Sequence, residues 1–174
     1  MTSIQPITPD QQQQVLDRCA ELIAFAANQL ETSFQPIEVR FDLTGRAAGM
    51  YCVRYKERWF RFNAHLFAKY FDENLQHTVA HEVAHYLVEQ HFGRKRVAPH
   101  GKEWQAMMHL LGEEPQTTHQ FDLEGVPVKR QQTHVYRCAC RDHKLSTTRH
   151  NRVQGKKKMV YHCRACRQPL AYVE

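Results

Sequence analysis

Between residues 15 and 30 the chain reads VLDRCAELIAFAANQL. Val15, Leu16, Cys19, Leu22, Ile23, Ala26, Ala27 and Leu30 recur there at the spacing of one helix face. Thr8 followed by Pro9 supplies an N-cap and a proline at the first helical position. After Pro36 the period shortens toward two. IEVRFDL (37–43), GMYCVRY (49–55) and RWFRFN (58–63) predict three strands of a small antiparallel sheet, with turns at Thr44-Gly45 and Lys56-Glu57. AHLFAKYF (64–71) predicts a short helix. From Asn74 to Phe92, Leu75, Val79, Ala80, Val83, Ala84, Leu87 and Val88 predict a strongly buried helix closed by Gly93. RKRVAPHG (94–101) reads as a loop and KEWQAMMHLLG (102–112) as a last helix. Glu113 to about Thr133 shows no period. A first domain over 1–125, a linker over 126–133 and a module over 134–174 follow from this pattern.

Composition changes the picture little, but charge changes it more. At 42% hydrophobic and 24% charged, the chain can bury a real core. No apolar run approaches the ~20 residues needed to span a bilayer. The N-terminus has neither a basic start nor an apolar segment, so no secretory signal is read there and the expected location is the cytoplasm. The net charge of +6 is uneven: residues 129–174 hold 12 Lys+Arg against Asp142 and Glu174 alone. A segment that basic attracts a polyanion, and nucleic acid is the expected partner, bound without sequence preference.

VAHEVAHYLV (79–88) sets His81 and His85 four residues apart on the buried helix, with Glu82 beside them. Positions four apart lie within ~40° on a helix, so both imidazoles can face one ion. Zinc would lower the pKa of a bound water toward ~7, and Glu82 would take its proton as general base. Such a site needs a third protein ligand. His91 points ~120° away from His85 if the helix continues. Glu103 follows His85 closely for a ligand from the next helix. His100, between Pro99 and Gly101, sits where a loop can return the chain, and is the best choice of the three. No oxyanion-stabilising residue stands out.

Cys163-Arg-Ala-Cys166 has the CxxC spacing of a zinc knuckle, and Cys138-Ala-Cys140 is a shorter first pair. Together they describe a zinc ribbon, a module too small to fold on its own core without metal. Cys140-Arg-Asp-His143 offers the alternative that His143 replaces Cys138. Lys144, Arg149, Arg152, Lys156, Lys157 and Lys158 are expected on a hairpin between the pairs, with Gly155 at its tip. Tyr136, His150 and Tyr161 interleave with them, suiting phosphates and unpaired bases.

HEVAHYLV, the step to His100, HGKEWQAMMHLLG, the upstream AAGMYCVRYKERWFRFNAHLF and the terminal YRCAC…YHCRACRQPL together resemble the SprT family of zinc metallopeptidases. The resemblance runs from about residue 10 to 172. It implies an α+β, zincin-like metallopeptidase domain with the HExxH helix, followed by the ribbon. It implies His81, His85 and His100 as ligands of one catalytic zinc and Glu82 as general base. It also favours Cys138, Cys140, Cys163 and Cys166 as ligands of one structural zinc. Relatives include the eukaryotic protease Spartan, which degrades proteins crosslinked to DNA, so the expected substrate is protein bound or crosslinked to DNA. No membrane partner is expected. The competing expectation is a non-catalytic, zinc-containing nucleic-acid-binding protein whose basic ribbon carries the activity.

Overall fold

Thr8 opens helix α1 (Pro9–Gln29) with a reciprocal cap. Its hydroxyl accepts the Gln11 backbone N–H, and the Gln11 side chain accepts the Thr8 N–H. This computed structural model describes residues 4–93, 97–128, 132–155 and 158–173. The expected positions of Arg94, Lys95 and Arg96 in the loop, of residues 129–131 in the linker, and of Lys156 and Lys157 in the basic hairpin lie outside the described residues. The chain divides into two compact units, Met1–Val128 and Lys129–Glu174.

In the first unit, strands β1 (Glu38–Arg40), β2 (Gly49–Arg54) and β3 (Glu57–Phe62) form one sheet in the order β1-β3-β2. The sheet is mixed, which corrects the antiparallel expectation. β2 and β3 are antiparallel, but β1 pairs with β3 in parallel, Val39 opposite Phe60. Tyr55 and Lys56 make the tight turn between Arg54 and Glu57, which forces β2 and β3 to be antiparallel. The longer connection from β1 instead passes the end of β3, where Leu43 N–H meets Phe62 O, so β3 comes to lie between the other two.

Asn63 then caps α2 (Ala64–Lys69). Its side-chain oxygen accepts the His65 and Leu66 N–H groups, and its amide donates to the Gly45 and Ala47 carbonyls. The predicted helix from Asn74 begins differently from its pattern. A short α3 (Phe71–Glu73) runs into a π-turn (Asn74–Thr78) before α4 (Val79–Phe92). Buried Asn74 explains the extra residue. Its amide donates to Leu66 O at 3.1 Å and Tyr70 O at 2.8 Å, and its oxygen accepts the Thr78 hydroxyl at 2.7 Å. Gly93, at φ +72°, ends α4. Helix α5 (Lys102–Leu110) completes the unit's regular elements.

Val15, Cys19, Leu22 and Ala26 of α1, Phe60 and Phe62 of β3, Val83 and Leu87 of α4, and Trp104 and Met108 of α5 form one core. Each large side chain fully buried there contributes about 1.5–3 kcal/mol. Residues after α5 return to this unit: Val126, with Phe121 and Leu123, packs on Ala48 and Leu66 in a second, smaller cluster.

In the second unit, β4 (Thr133–Arg137) pairs antiparallel with both β5 (Asp142–Ser146) and β6 (Ala171–Tyr172). The segment expected as a hairpin after β5 is instead helix α6 (Thr147–Gln154). Ser146 makes the difference: its hydroxyl caps the Arg149 N–H, and Gly155 stops the helix rather than forming a hairpin tip. Tyr136 and Leu145 are among the few large side chains buried in this unit, so the core is small.

Candidate metal centres

Helix α4 carries His81 and His85 on one face, and the turn before α5 carries His100. His100 has φ +58°, a conformation uncommon for a side chain other than glycine. The turn closes through Gly101 N–H to Ala98 O, and Gln105 Nε2 donates to His100 O at 3.2 Å. A side chain on Gly101 would collide with Ala98 O, its Cβ lying 2.9 Å away, so the tight turn needs glycine. This turn brings the three imidazoles together. Their Nε2 atoms stand 3.2 Å (His81–His85), 3.1 Å (His85–His100) and 3.1 Å (His81–His100) apart. Nitrogens held at about 2.0–2.1 Å around a tetrahedral zinc would lie about 3.3 Å from one another, so the donor set fits that ion. Burial pushes the pKa of His81 down to about 4 and of His85 to about 3. Both rings are therefore neutral near pH 7, the form that binds metal. His91 and Glu103, weighed as third ligands, do not belong to this group.

Trp104 is a component that spacing did not single out. Its buried ring lies 4.8, 5.7 and 4.7 Å from the His81, His85 and His100 rings, and its Nε1–H donates to His81 O at 3.4 Å. It stands four residues after His100, one helical turn on, and that spacing was its only signal in the sequence.

Glu82 projects toward the sheet rather than toward solvent. Its Oε2 accepts the Tyr51 backbone N–H at 2.6 Å, from the strand edge that β3 leaves free. Gly49 makes the approach possible: a Cβ there would come within 2.8 Å of Glu82 Cγ and Oε1. Burial raises the Glu82 pKa to about 7, against the lowering effect of the Tyr51 N–H. A carboxyl titrating there is matched to proton transfer at neutral pH. Glu82 and His81 both line a cleft of about 1190 Å³. Its other walls include Arg46, Tyr70, His77 and residues 116–123.

The second unit brings Cys138, Cys140, Cys163 and Cys166 together, their sulfurs within 4.8 Å of one another. Cys138 Sγ is 3.4 Å from Cys140 Sγ, and Cys140 Sγ is 3.7 Å from Cys163 Sγ. Zn–S bonds of ~2.3 Å in a tetrahedron would set sulfurs about 3.8 Å apart, so this group also fits zinc. His143 approaches the same cluster, its Nε2 3.2 Å from Cys138 Sγ. The Cys166 backbone N–H lowers the pKa of the Cys163 thiol to about 5, toward the thiolate a metal requires. All six cysteines are free of disulfides. No helix among the described residues is long and apolar enough to cross a membrane.

A model of the SprT-like family matches residues 19–134. The protein named SprT in Escherichia coli strain K12 is 39% identical over 160 residues, covering 91% of this chain and 92% of that protein. The proteins of the same name in Salmonella arizonae and Shigella boydii serotype 4 are similar to the same extent, 39% over 160 residues. No solved structure matches the chain.

Proposed function

The chain belongs to the SprT-like family, and from that premise we propose that it is a zinc-dependent endopeptidase held near its substrates by a basic zinc ribbon. One observation carries the reading. Three imidazole nitrogens converge within 3.2 Å, and the residue next to the first of them lines the same cleft with a buried carboxylate. A purely structural metal site gains nothing from that carboxylate. His81, His85 and His100 would hold the zinc, leaving one position of the tetrahedron open. The ion, when bound, supplies Lewis acidity toward a peptide carbonyl and a water.

The chain's own residues do the rest. Trp104 buttresses the three rings from one side. The Tyr51 N–H fixes one oxygen of Glu82, and the carboxylate takes a proton from the attacking water and returns it to the leaving amine. The four cysteines would hold a second, structural zinc on which the ribbon's small core depends. The ribbon's excess of Lys and Arg supports contact with nucleic-acid phosphates, and the substrate class is protein bound or crosslinked to DNA. Tethering raises the local concentration of such substrates without tight recognition of the cleaved peptide.

The test is digestion of an unstructured DNA-binding protein by the zinc-loaded chain and by its Glu82→Gln variant, each with and without single-stranded DNA. Cleavage by the wild type alone, faster with DNA, is expected. If neither protein cuts while both bind DNA equally, the non-catalytic binding protein replaces this reading.

A further inference from the structure

Residues 113–124 form no helix or strand, yet they are moored to the first unit at both ends. At the upstream end Glu113 is buried. Its N–H donates to Met108 O at 2.9 Å, and its carboxylate lies 2.5 Å from His77 Nδ1. At the downstream end the Phe121 ring stacks on Tyr70, with centroids 4.4 Å apart and planes 9° apart. His119 stacks on the same ring at 4.2 Å. Lys69 Nζ holds the Asp122 carboxylate at 2.7 Å and the carbonyls of Asp122 and Glu124 at 3.1 and 2.9 Å. Lys69 ends α2 and Tyr70 follows it directly, so this mooring is fixed to a helix.

Between the moorings, the Gln116 carbonyl oxygen sits 3.1 Å from His81 Nδ1. A carbonyl only accepts, so Nδ1 carries the ring proton. A neutral imidazole has one N–H, and the Nε2 lone pair is therefore left facing His85 and His100. Without that carbonyl the ring is free to place its proton on Nε2, which cannot then bind a metal, and free to turn. The Gln116 backbone is not held by a ladder of its own, so its position depends on the two moorings.

We infer that residues 113–124 are a positioning strap. Through the Gln116 carbonyl they fix the proton and orientation of His81 for metal binding, and Phe121 and Lys69 are positioning residues that act through that carbonyl. The inference rests on the reading of the three histidines as a metal centre. It assigns a role to a segment whose sequence has no periodicity, and to residues that touch neither metal nor substrate.

The test uses the full, zinc-loaded chain and the variants Phe121→Ala, Phe121→Tyr and Lys69→Met, with His85→Ala as the control. Zinc release to a chromogenic chelator is followed over time, and the phase missing from His85→Ala is assigned to the histidine site. Solvent exchange of the His81 Nδ1 proton is read by nitrogen-15 NMR. Loss of an outer partner of a ligating histidine weakens metal affinity about 10–100-fold. Phe121→Ala and Lys69→Met are each expected to weaken the histidine site about 10-fold and to speed that proton's exchange. Phe121→Tyr, which keeps the stack, should match the wild type. Because the two moorings are independent, a folding failure of one variant leaves the other to decide. Unchanged release and unchanged exchange in a folded variant overturn the strap while leaving the metal centre standing. If His85→Ala loses no phase, the metal-centre reading itself fails, and the strap's role with it.

Discussion

Gly49 acts through the side chain it lacks. A methyl group there would meet Glu82 Cγ and Oε1 and Thr78 Cγ2, each at 2.8 Å, and the carboxylate would have to leave the Tyr51 N–H. A displacement near 1 Å at a reacting group can cost about 100-fold in rate. Gly49→Ala should therefore lower kcat about 100-fold while zinc content, measured by mass spectrometry, stays at the wild-type level. The Glu82 carboxyl also makes a prediction about pH. Its pKa rises from 4.5 to about 7 on folding, so between those values the folded protein retains a proton that the unfolded chain has lost. The stability this contributes is complete below pH 4.5 and is lost as pH climbs toward 7, on the order of 3 kcal/mol in all. His81 and His85, with lowered pKa values, have the opposite slope below about pH 6.5. Glu82→Gln isolates the carboxyl. In urea melts of metal-stripped protein, the variant's stability relative to wild type should rise across that window; a flat difference would count against the buried carboxyl.

Among the elements, the π-turn of residues 74–78 has the most to lose from one substitution. Asn74 holds two carbonyls of the preceding helix end and the Thr78 hydroxyl from a buried position. Asn74→Ala should lower stability by about 1–3 kcal/mol, since the partners it leaves are buried, and calorimetric melts would measure it. Sequence carried the elements unevenly. The capped α1 was legible because Thr8, Pro9 and the apolar face are all local to it. The parallel pairing of β1 was not, because Val39 meets Phe60 across the chain and nothing near Val39 records its partner. The π-turn left an apolar pattern still readable as one helix. His81, Glu82, His85 and His100 were legible by residue type and spacing, and the structure brings the three histidines together. Tyr51 and Gln116 were not legible, since they contribute a backbone N–H and a backbone C=O that any residue type would supply.

At the scale of the molecule, charge separates the two units. Residues 1–128 hold 12 Lys+Arg and 16 Asp+Glu, and residues 129–174 hold 12 and 2. Arg149 and Arg152 lie exposed on α6, with the Arg149 guanidinium 5.8 Å from the Tyr161 ring. Replacing both with Glu should weaken binding to single-stranded DNA and reduce the slope of log affinity against log salt by about 1, as fluorescence titrations would show. Cleavage of a free peptide should not change. The strap has a different consequence, in time rather than in space. His100 lies 15 residues beyond His85, and the Gln116 carbonyl lies 35 beyond His81. Chains fold from the N-terminal end as they are made, so a nascent copy exposes its histidine pair well before the last mooring emerges. The proposed peptidase is thus born incomplete, and the ribosome and its neighbouring proteins are spared until the first unit has been synthesised almost to its end.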